Sequence, residues 1–246
     1  MRFIGDYHIH SNYSDGRATV AEMVAAGQNA GLKEIGIADH GPRNIGAGVR
    51  SSQVYLTVKA ELARLRSSYP GLKLLTGAEA NVVSLSGELD LEPEVVKELD
   101  YLIVGLHPFV RPQGSGGFRW LVNNQLVNLS PALKSRVKND NTKALAEAVY
   151  KNKVWAVSHP GLKMPIEIGE VTRACVAKET AWEINTGHKF PGYAEVLEAA
   201  RSGVDFVVNS DAHFPETVGY LEYGSWVLEK TGIEPERVIN AVTCDL

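Results

Sequence analysis

Phe3-Ile4-Gly5-Asp6-Tyr7-His8-Ile9-His10, followed by Ser14-Asp15-Gly16, is the stretch from which the rest of the chain can be read. It is an apolar run that ends in two histidines two residues apart. On a β-strand, positions i and i+2 project to the same side. Both imidazoles therefore leave one strand end together, and imidazole is the commonest protein ligand for a borderline metal ion. His8 and His10 are expected to be the first two ligands of a metal centre.

The same signature recurs along the chain. Apolar strands are predicted at Phe3 to His10, Glu34 to His40, Lys73 to Val83, Tyr101 to His107, Val154 to His159, Ala181 to Asn185 and Asp205 to His213. Helical segments lie between them: Thr19 to Ala30, Gln53 to Tyr69, about Glu92 to Leu99, Asn141 to Asn152, Ile166 to Lys178 and Tyr193 to Arg201. Thr19 with Glu22 forms a capping box, and Gly31 stops that helix. The end, Pro215 to Leu246, reads as mostly helical, with Glu236 to Thr243 its clearest piece. Seven rounds of strand then helix argue for an α/β fold with a parallel sheet. With no linker-like segment, residues 1–246 are expected to form a single domain, a closed or nearly closed barrel. An open doubly wound sheet competes, but no dinucleotide-type glycine fingerprint follows the first strand.

Composition narrows the class. At 246 residues, with 44% hydrophobic and 22% charged side chains, the chain can bury a sizeable core. A net charge of -4 argues against a large phosphate-backbone footprint and hence against long nucleic acid as a partner. Cys175 and Cys244, both in helical-looking flanks, read as buried free thiols rather than a disulfide framework. The N-terminus carries no signal-peptide pattern and no stretch approaches 18 uninterrupted apolar residues, so the expectation is a cytoplasmic protein with no membrane partner.

Six of the seven histidines fall at predicted strand ends: His8, His10, His40, His107, His159 and His213. His188 lies in the loop after the sixth strand. Glu79 and Asp211 sit near the ends of the third and seventh strands. In parallel α/β folds these ends converge on the active site. A lone strand-end histidine is more often structural, but a cluster of imidazoles and carboxylates is costly to bury without a cation. With Asp15 there are nine candidate ligands, too many for one ion and suited to two or three. An N/O donor set without cysteine permits zinc, iron or manganese.

These residues resemble the PHP superfamily, named for polymerase and histidinol phosphatase. The likeness spans essentially the whole chain: His8-Ile9-His10 with Ser14-Asp15-Gly16, Asp39-His40, Gly77-Ala78-Glu79, His107, Ser158-His159-Pro160 and Ser210-Asp211-Ala212-His213. The resemblance implies a distorted (β/α)7 barrel with outer helices, a trinuclear site and metal-dependent phosphoester hydrolysis. By motif, His8, His10, Glu79 and Asp211 would hold a first ion. Glu79, His107 and His159 would hold a second, and Asp15, His40 and His213 a third. Some relatives carry a histidine in the region of Asp15. Size and the compact Asp211-Ala212-His213 ending resemble the small stand-alone, histidinol-phosphatase-like members, so a small-molecule phosphate ester is the expected substrate.

Chemically, closely spaced divalent ions hold a hydroxide at neutral pH that can attack phosphorus in line. Glu79 would bridge two ions, and Asp15 or His213 could assist the leaving alcohol. Candidates to meet the substrate phosphate are Arg43, Arg50, Arg111, Arg119, Lys163 and Lys189, with His188 also at the pocket. The stretch Phe109 to Arg136 lacks clear periodicity and could act as a lid. In it, Phe118 and Trp120 fit either a cover over the leaving group or core packing. Two other readings compete: a nucleotide phosphodiesterase or exonuclease on the same site, and a metal-binding interaction module without catalysis.

Overall fold

The strands Gly5–Ile9, Ala181–Asn185 and Phe206–Asn209 are buried on both faces, because one side meets the barrel interior and the other meets a helix layer. The structure, a computed structural model, describes residues 1–243. In chain order the strands are β1 (Arg2–Phe3), β2 (Gly5–Ile9), β3 (Glu34–Ile37), β4 (Lys73–Thr76), β5 (Glu79–Asn81), β6 (Ile103–Gly105), β7 (Ala156–Val157), β8 (Ala181–Asn185), β9 (Phe206–Asn209) and β10 (Ala241–Val242). The helices are α1 (Val20–Asn29), α2 (Val54–Leu65), α3 (Pro93–Val96), α4 (Gly114–Gln125), α5 (Pro131–Lys151), α6 (Ile168–Ala177), α7 (Tyr193–Ala200) and α8 (Glu222–Thr231).

Two parallel sheets, β2-β3-β4 and β5-β6-β7-β8-β9, join into one ring. At one seam, Glu79 N–H donates to Asp39 O (3.0 Å) and Gly41 N–H to Glu79 O (2.9 Å). At the other, His10 N–H donates to Ala212 O (2.9 Å) and Ala212 N–H to His8 O (3.1 Å). β4 and β5 are halves of one strand that changes partner at Gly77-Ala78, so the eight segments make a distorted seven-stranded barrel. Its helices pack outside.

The barrel floor explains that break. Tyr7, Tyr101 and Trp155 interlock edge to face, with ring centroids 4.9 to 6.1 Å apart. The Tyr101 hydroxyl donates to Tyr7 O at 2.7 Å. A Cβ at Gly36 or Gly77 would lie 2.1 or 2.2 Å from Tyr101, so both positions need glycine for backbone to pass the ring. The predicted continuous strand from Lys73 to Val83 is split here.

Three further expectations are corrected. The stretch 109–136 is not a loop: it holds α4, a 3-10 turn and the first part of α5, which starts ten residues before the expected Asn141. Ser130 caps α5, its hydroxyl accepting from Leu133 N–H, and Pro131 fits the first turn. Trp120 is core, donating to Asn141 Oδ1 at 2.6 Å, while Phe118 is exposed. Glu236 to Thr243 is not helical: after a 3-10 turn at Pro235–Arg237 it forms β10, antiparallel to β1. Asn240 sets this course, with Nδ2 donating to Gly5 O and Val208 O and Oδ1 accepting from Val208 N–H. Cys175 is a buried free thiol on α6; Cys244 lies outside the described residues. Among the described residues, no helix is long and apolar enough to cross a membrane.

Candidate metal centre

The strand ends deliver their polar side chains to one side of the ring. His8 and His10 flank the core residue Ile9, and their ring centroids are 5.0 Å apart. Glu79, fully buried at the first residue of β5, stands at the centre. Its Oε2 lies 2.5 Å from His40 Nδ1 and 3.4 Å from His8 Nε2. Its Oε1 lies 3.0 Å from His159 Nε2 and 3.3 Å from His107 Nε2. Asp211 Oδ1 lies 3.0 Å from His10 Nε2, and Asp15 Oδ1 lies 3.2 Å from His213 Nε2. His159 and Asp211 have positive φ, 28° and 55°. The chain bends out of the strand direction at both, a departure that needs surrounding contacts to hold it.

Three groups have ligand atoms within 4.8 Å of one another: His8, His10 and Asp211; His40, Glu79 and His107; and His10, Asp15, His40 and His213. Hydrogen bonding does not satisfy them. His8 Nε2, His10 Nδ1, His40 Nδ1, both Glu79 oxygens and both His107 ring nitrogens are buried without an aligned partner. Leaving so many polar atoms unpaired is costly. They fit divalent cations, whose bonds to imidazole and carboxylate would use those lone pairs.

Charge says the same. Burial opposes charging the His8 ring, but Glu183, Asp211 and Glu79 outweigh it and push its pKa well up. Burial likewise opposes charging His40 and His159, and the nearby carboxylates, Glu79 foremost, push both up. For Glu79, burial is outweighed by the surrounding imidazoles, which hold the carboxyl well below its ordinary range. The carboxylates thus favour positive charge on His8, His40 and His159, a charge that metal ions would supply in its place.

A second ring of buried carboxylates, absent from the sequence-based candidates, stands behind the first. Glu183 on β8 contacts His8 Nδ1 (2.7 Å) and His159 N–H (2.7 Å). Asp39 accepts from Ser11 N–H and Oγ (2.7 Å each), clasping the loop that carries Asp15. Asp6 accepts from Ser210 N–H (3.1 Å), next to Asp211. Asp90 accepts from Asn81 and from Arg43 N–H. A buried acid inside an apolar strand, as in Ala181-Trp182-Glu183-Ile184-Asn185, was the available signal for Glu183.

The ligand-bearing ends open into a cavity of about 230 Å³. Asp15, His40, His107, His159, Asp211 and His213 line it, with carbon walls from Ala47, Leu106, Pro108, Phe109 and Leu162. Of the side chains considered for a substrate phosphate, Lys163 and His188 line this cavity. Arg43 turns away to Pro112 O, and Arg50 lines a separate cavity with Tyr13 and Glu61. Arg111, Arg119 and Lys189 do not line the metal-side cavity.

Comparison with known proteins fits this arrangement. The sequence model of the PHP domain matches residues 6–222. A probable phosphatase of Thermoanaerobacter sp. is 29% identical, covering 98% of this chain and 91% of that one. A probable phosphatase of Acetivibrio thermocellus is 27% identical over 98% and 92%, and one of Escherichia coli 26% over 96% and 89%. Among solved structures, histidinol phosphate phosphatase from Lactococcus lactis, complexed with zinc, L-histidinol and phosphate, superposes with a TM-score of 0.62. It is 16% identical and covers 94% of both chains, a likeness of fold.

Proposed function

This chain belongs to the PHP domain family, and from that premise we propose that it is a metal-dependent phosphoesterase that hydrolyses a small-molecule phosphomonoester. The observation that carries the reading is the convergence of nine potential ligands, many with unpaired buried atoms, six of them lining one small cavity and His8, His10 and Glu79 beside them. The probable phosphatases it resembles along nearly their whole length support the reaction class.

The ligands divide as the family motifs suggest. His8, His10, Glu79 and Asp211 would serve a first ion, Glu79, His107 and His159 a second, and Asp15, His40 and His213 a third. The number of donors supports more than one ion: nine ligands exceed what a single four-coordinate ion can take, and Asp15, Glu79 and Asp211 each stand in a different ligand group. Zinc, iron or manganese suits these donors.

Bound ions would acidify water at neutral pH and neutralise charge on the phosphoryl oxygens. The chain's own side chains do the rest. Lys163 at the cavity wall is placed to meet a phosphoryl oxygen. Asp15 and His213, 3.2 Å apart at the cavity, would hold the third ion, which would supply charge stabilisation to the leaving alcohol. Carbon walls from Ala47, Leu106, Pro108, Phe109 and Leu162 beside the ligands suit a compact leaving group.

Protein reconstituted with zinc, manganese or iron and screened against phosphate esters tests this. Turnover of phosphomonoesters in preference to phosphodiesters is expected. Preference for a diester would move the assignment to a nucleotide phosphodiesterase. No turnover with any metal at full occupancy would leave a binding module.

A further inference from the structure

Glu183 joins two ligand groups from behind. It is fully buried in the middle of β8 and does not line the cavity. Its Oε1 meets His8 Nδ1 (2.7 Å) and Asn209 Nδ2 (2.9 Å). Its Oε2 meets the His159 N–H (2.7 Å) and Asn185 Nδ2 (3.1 Å).

Backbone groups fix the direction of these bonds. Asn209 Oδ1 accepts from Tyr7 N–H (3.0 Å), and Asn185 Oδ1 accepts from His188 N–H (2.9 Å). A backbone N–H can only donate, so both amides must turn their NH2 groups to Glu183. With the His159 N–H that makes three donors on one carboxyl group, which favours the ionised form. An ionised carboxylate can only accept, so the proton in the fourth bond sits on His8 Nδ1. His8 Nε2, facing Glu79 and Asp211, is then the nitrogen left for an ion.

We propose that Glu183 is a positioning residue that couples two metal subsites, by fixing the His8 tautomer on one side and the bent His159 backbone on the other. The inference rests on the metal-centre reading above. His8 belongs with His10 and Asp211, whereas His159 stands on the far oxygen of Glu79. The left-handed φ of 28° at His159 is stabilised by its N–H bond to Glu183, so one carboxylate orients ligands in both groups. Glutamine cannot replace it. Turned one way, its NH2 confronts the His159 N–H and Asn185 NH2. Turned the other, it confronts Asn209 NH2 and drives the His8 proton to Nε2, the nitrogen an ion requires.

Zinc titration of the full chain and of Glu183→Gln, read as equivalents bound and their affinities, is the test. Two zinc equivalents are expected to weaken together, each about 10- to 100-fold, the usual consequence of losing an outer partner of a ligand. A folded variant that keeps wild-type affinity for every equivalent, or weakens at only one, overturns the coupling while leaving the metal centre intact. A wild-type chain that binds no zinc overturns the metal reading and this inference with it. If Glu183→Gln does not fold, nitrogen-15 NMR of histidine-labelled, zinc-loaded wild type decides. The expected result is His8 carrying zinc at Nε2 and a proton at Nδ1; zinc on Nδ1 overturns the proposal.

Discussion

Asp15 and His213 show how single residues tune this site before any ion arrives. Burial works against the His213 imidazolium, but Asp15 and Asp211 beside it outweigh burial and hold its pKa up at about 9. Burial also works against the Asp15 carboxylate, yet His213, His40 and His10 bring it down to about 2. In the metal-free protein His213, raised from 6.5, contributes stability that is full below pH 6.5 and lost as the pH rises through about 9. Asp15, lowered from 3.8, contributes above pH 3.8 and loses it as the pH falls through about 2. Both side chains are about one third exposed or less, so screening leaves only part of the 1.36 kcal/mol per unit. Urea unfolding of metal-free wild type and Asp15→Asn should therefore show a gap of about 1 kcal/mol at pH 6 that shrinks by pH 10. A constant gap across that range would remove the ion pair. Lys163 makes the complementary case on the substrate side. It lines the cavity beside the expected ligands and is not itself one of them, so Lys163→Ala should raise KM for a phosphomonoester about tenfold with kcat within about threefold. Steady-state kinetics at unchanged metal content reads it, and an equal fall in kcat would mean the lysine acts on the transition state instead.

At the scale of elements, the barrel depends on strands passing a single ring. Gly36 on β3 and Gly77 between β4 and β5 both abut Tyr101, whose hydroxyl is tied to β2 through Tyr7 O. Gly36→Ala should cost about 1–3 kcal/mol by overpacking, and Tyr101→Ala about 3–5 kcal/mol by leaving a cavity. The double variant should cost less than the sum by at least about 0.5 kcal/mol, because the second change removes the clash made by the first. Additive losses in urea unfolding would break that link. The strands carrying His8, His40, His107, His159 and Asp211 were legible because each is an apolar run ended by a polar residue. The helix α1 was legible because Thr19 and Glu22 announce it. The helix α4 was not: Gly114, Gly116 and Gly117 open it with residues that ordinarily break helices, and its buried face is Gly117, Trp120, Leu121 and Asn124. The course of β10 was hidden because Asn240 is held by Gly5 and Val208, contacts distant in sequence. Glu183 escaped notice for a related reason. An acid within an apolar strand marks a buried carboxylate but not its role, because its four partners come from β2, β8, β9 and the end of β7.

The whole molecule is a barrel with an apolar floor and a charged top. Seven carboxylates and six strand-end imidazoles occupy one end, and Tyr7, Tyr101 and Trp155 fill the other. Such a distribution resists unfolding only if the charged end is neutralised. In the metal-free chain the carboxylates pull the pKa values of His8, His40, His159 and His213 upward and so favour their charged forms, while Glu79 and the His107 ring keep unpaired atoms. Ions that bind the folded barrel and not the unfolded chain add about 2.7 kcal/mol each when present at a hundred times their dissociation constant. The two tightest of the three proposed ions, held at that ratio, give about 5.4 kcal/mol. For a chain of this size, 1 kcal/mol moves the melting temperature by about 2–4 °C. Removing the metals with a chelator should therefore lower the melting temperature by about 10–20 °C, and adding back zinc or manganese should restore it. Because the seams at Glu79 and at Ala212 both close next to ligands, amide exchange should rise in the chelated protein first at His10, Gly41 and Ala212, whose N–H groups bridge the seams. A chelated protein with the same melting temperature and uniform exchange would show that the ring closes without its ions.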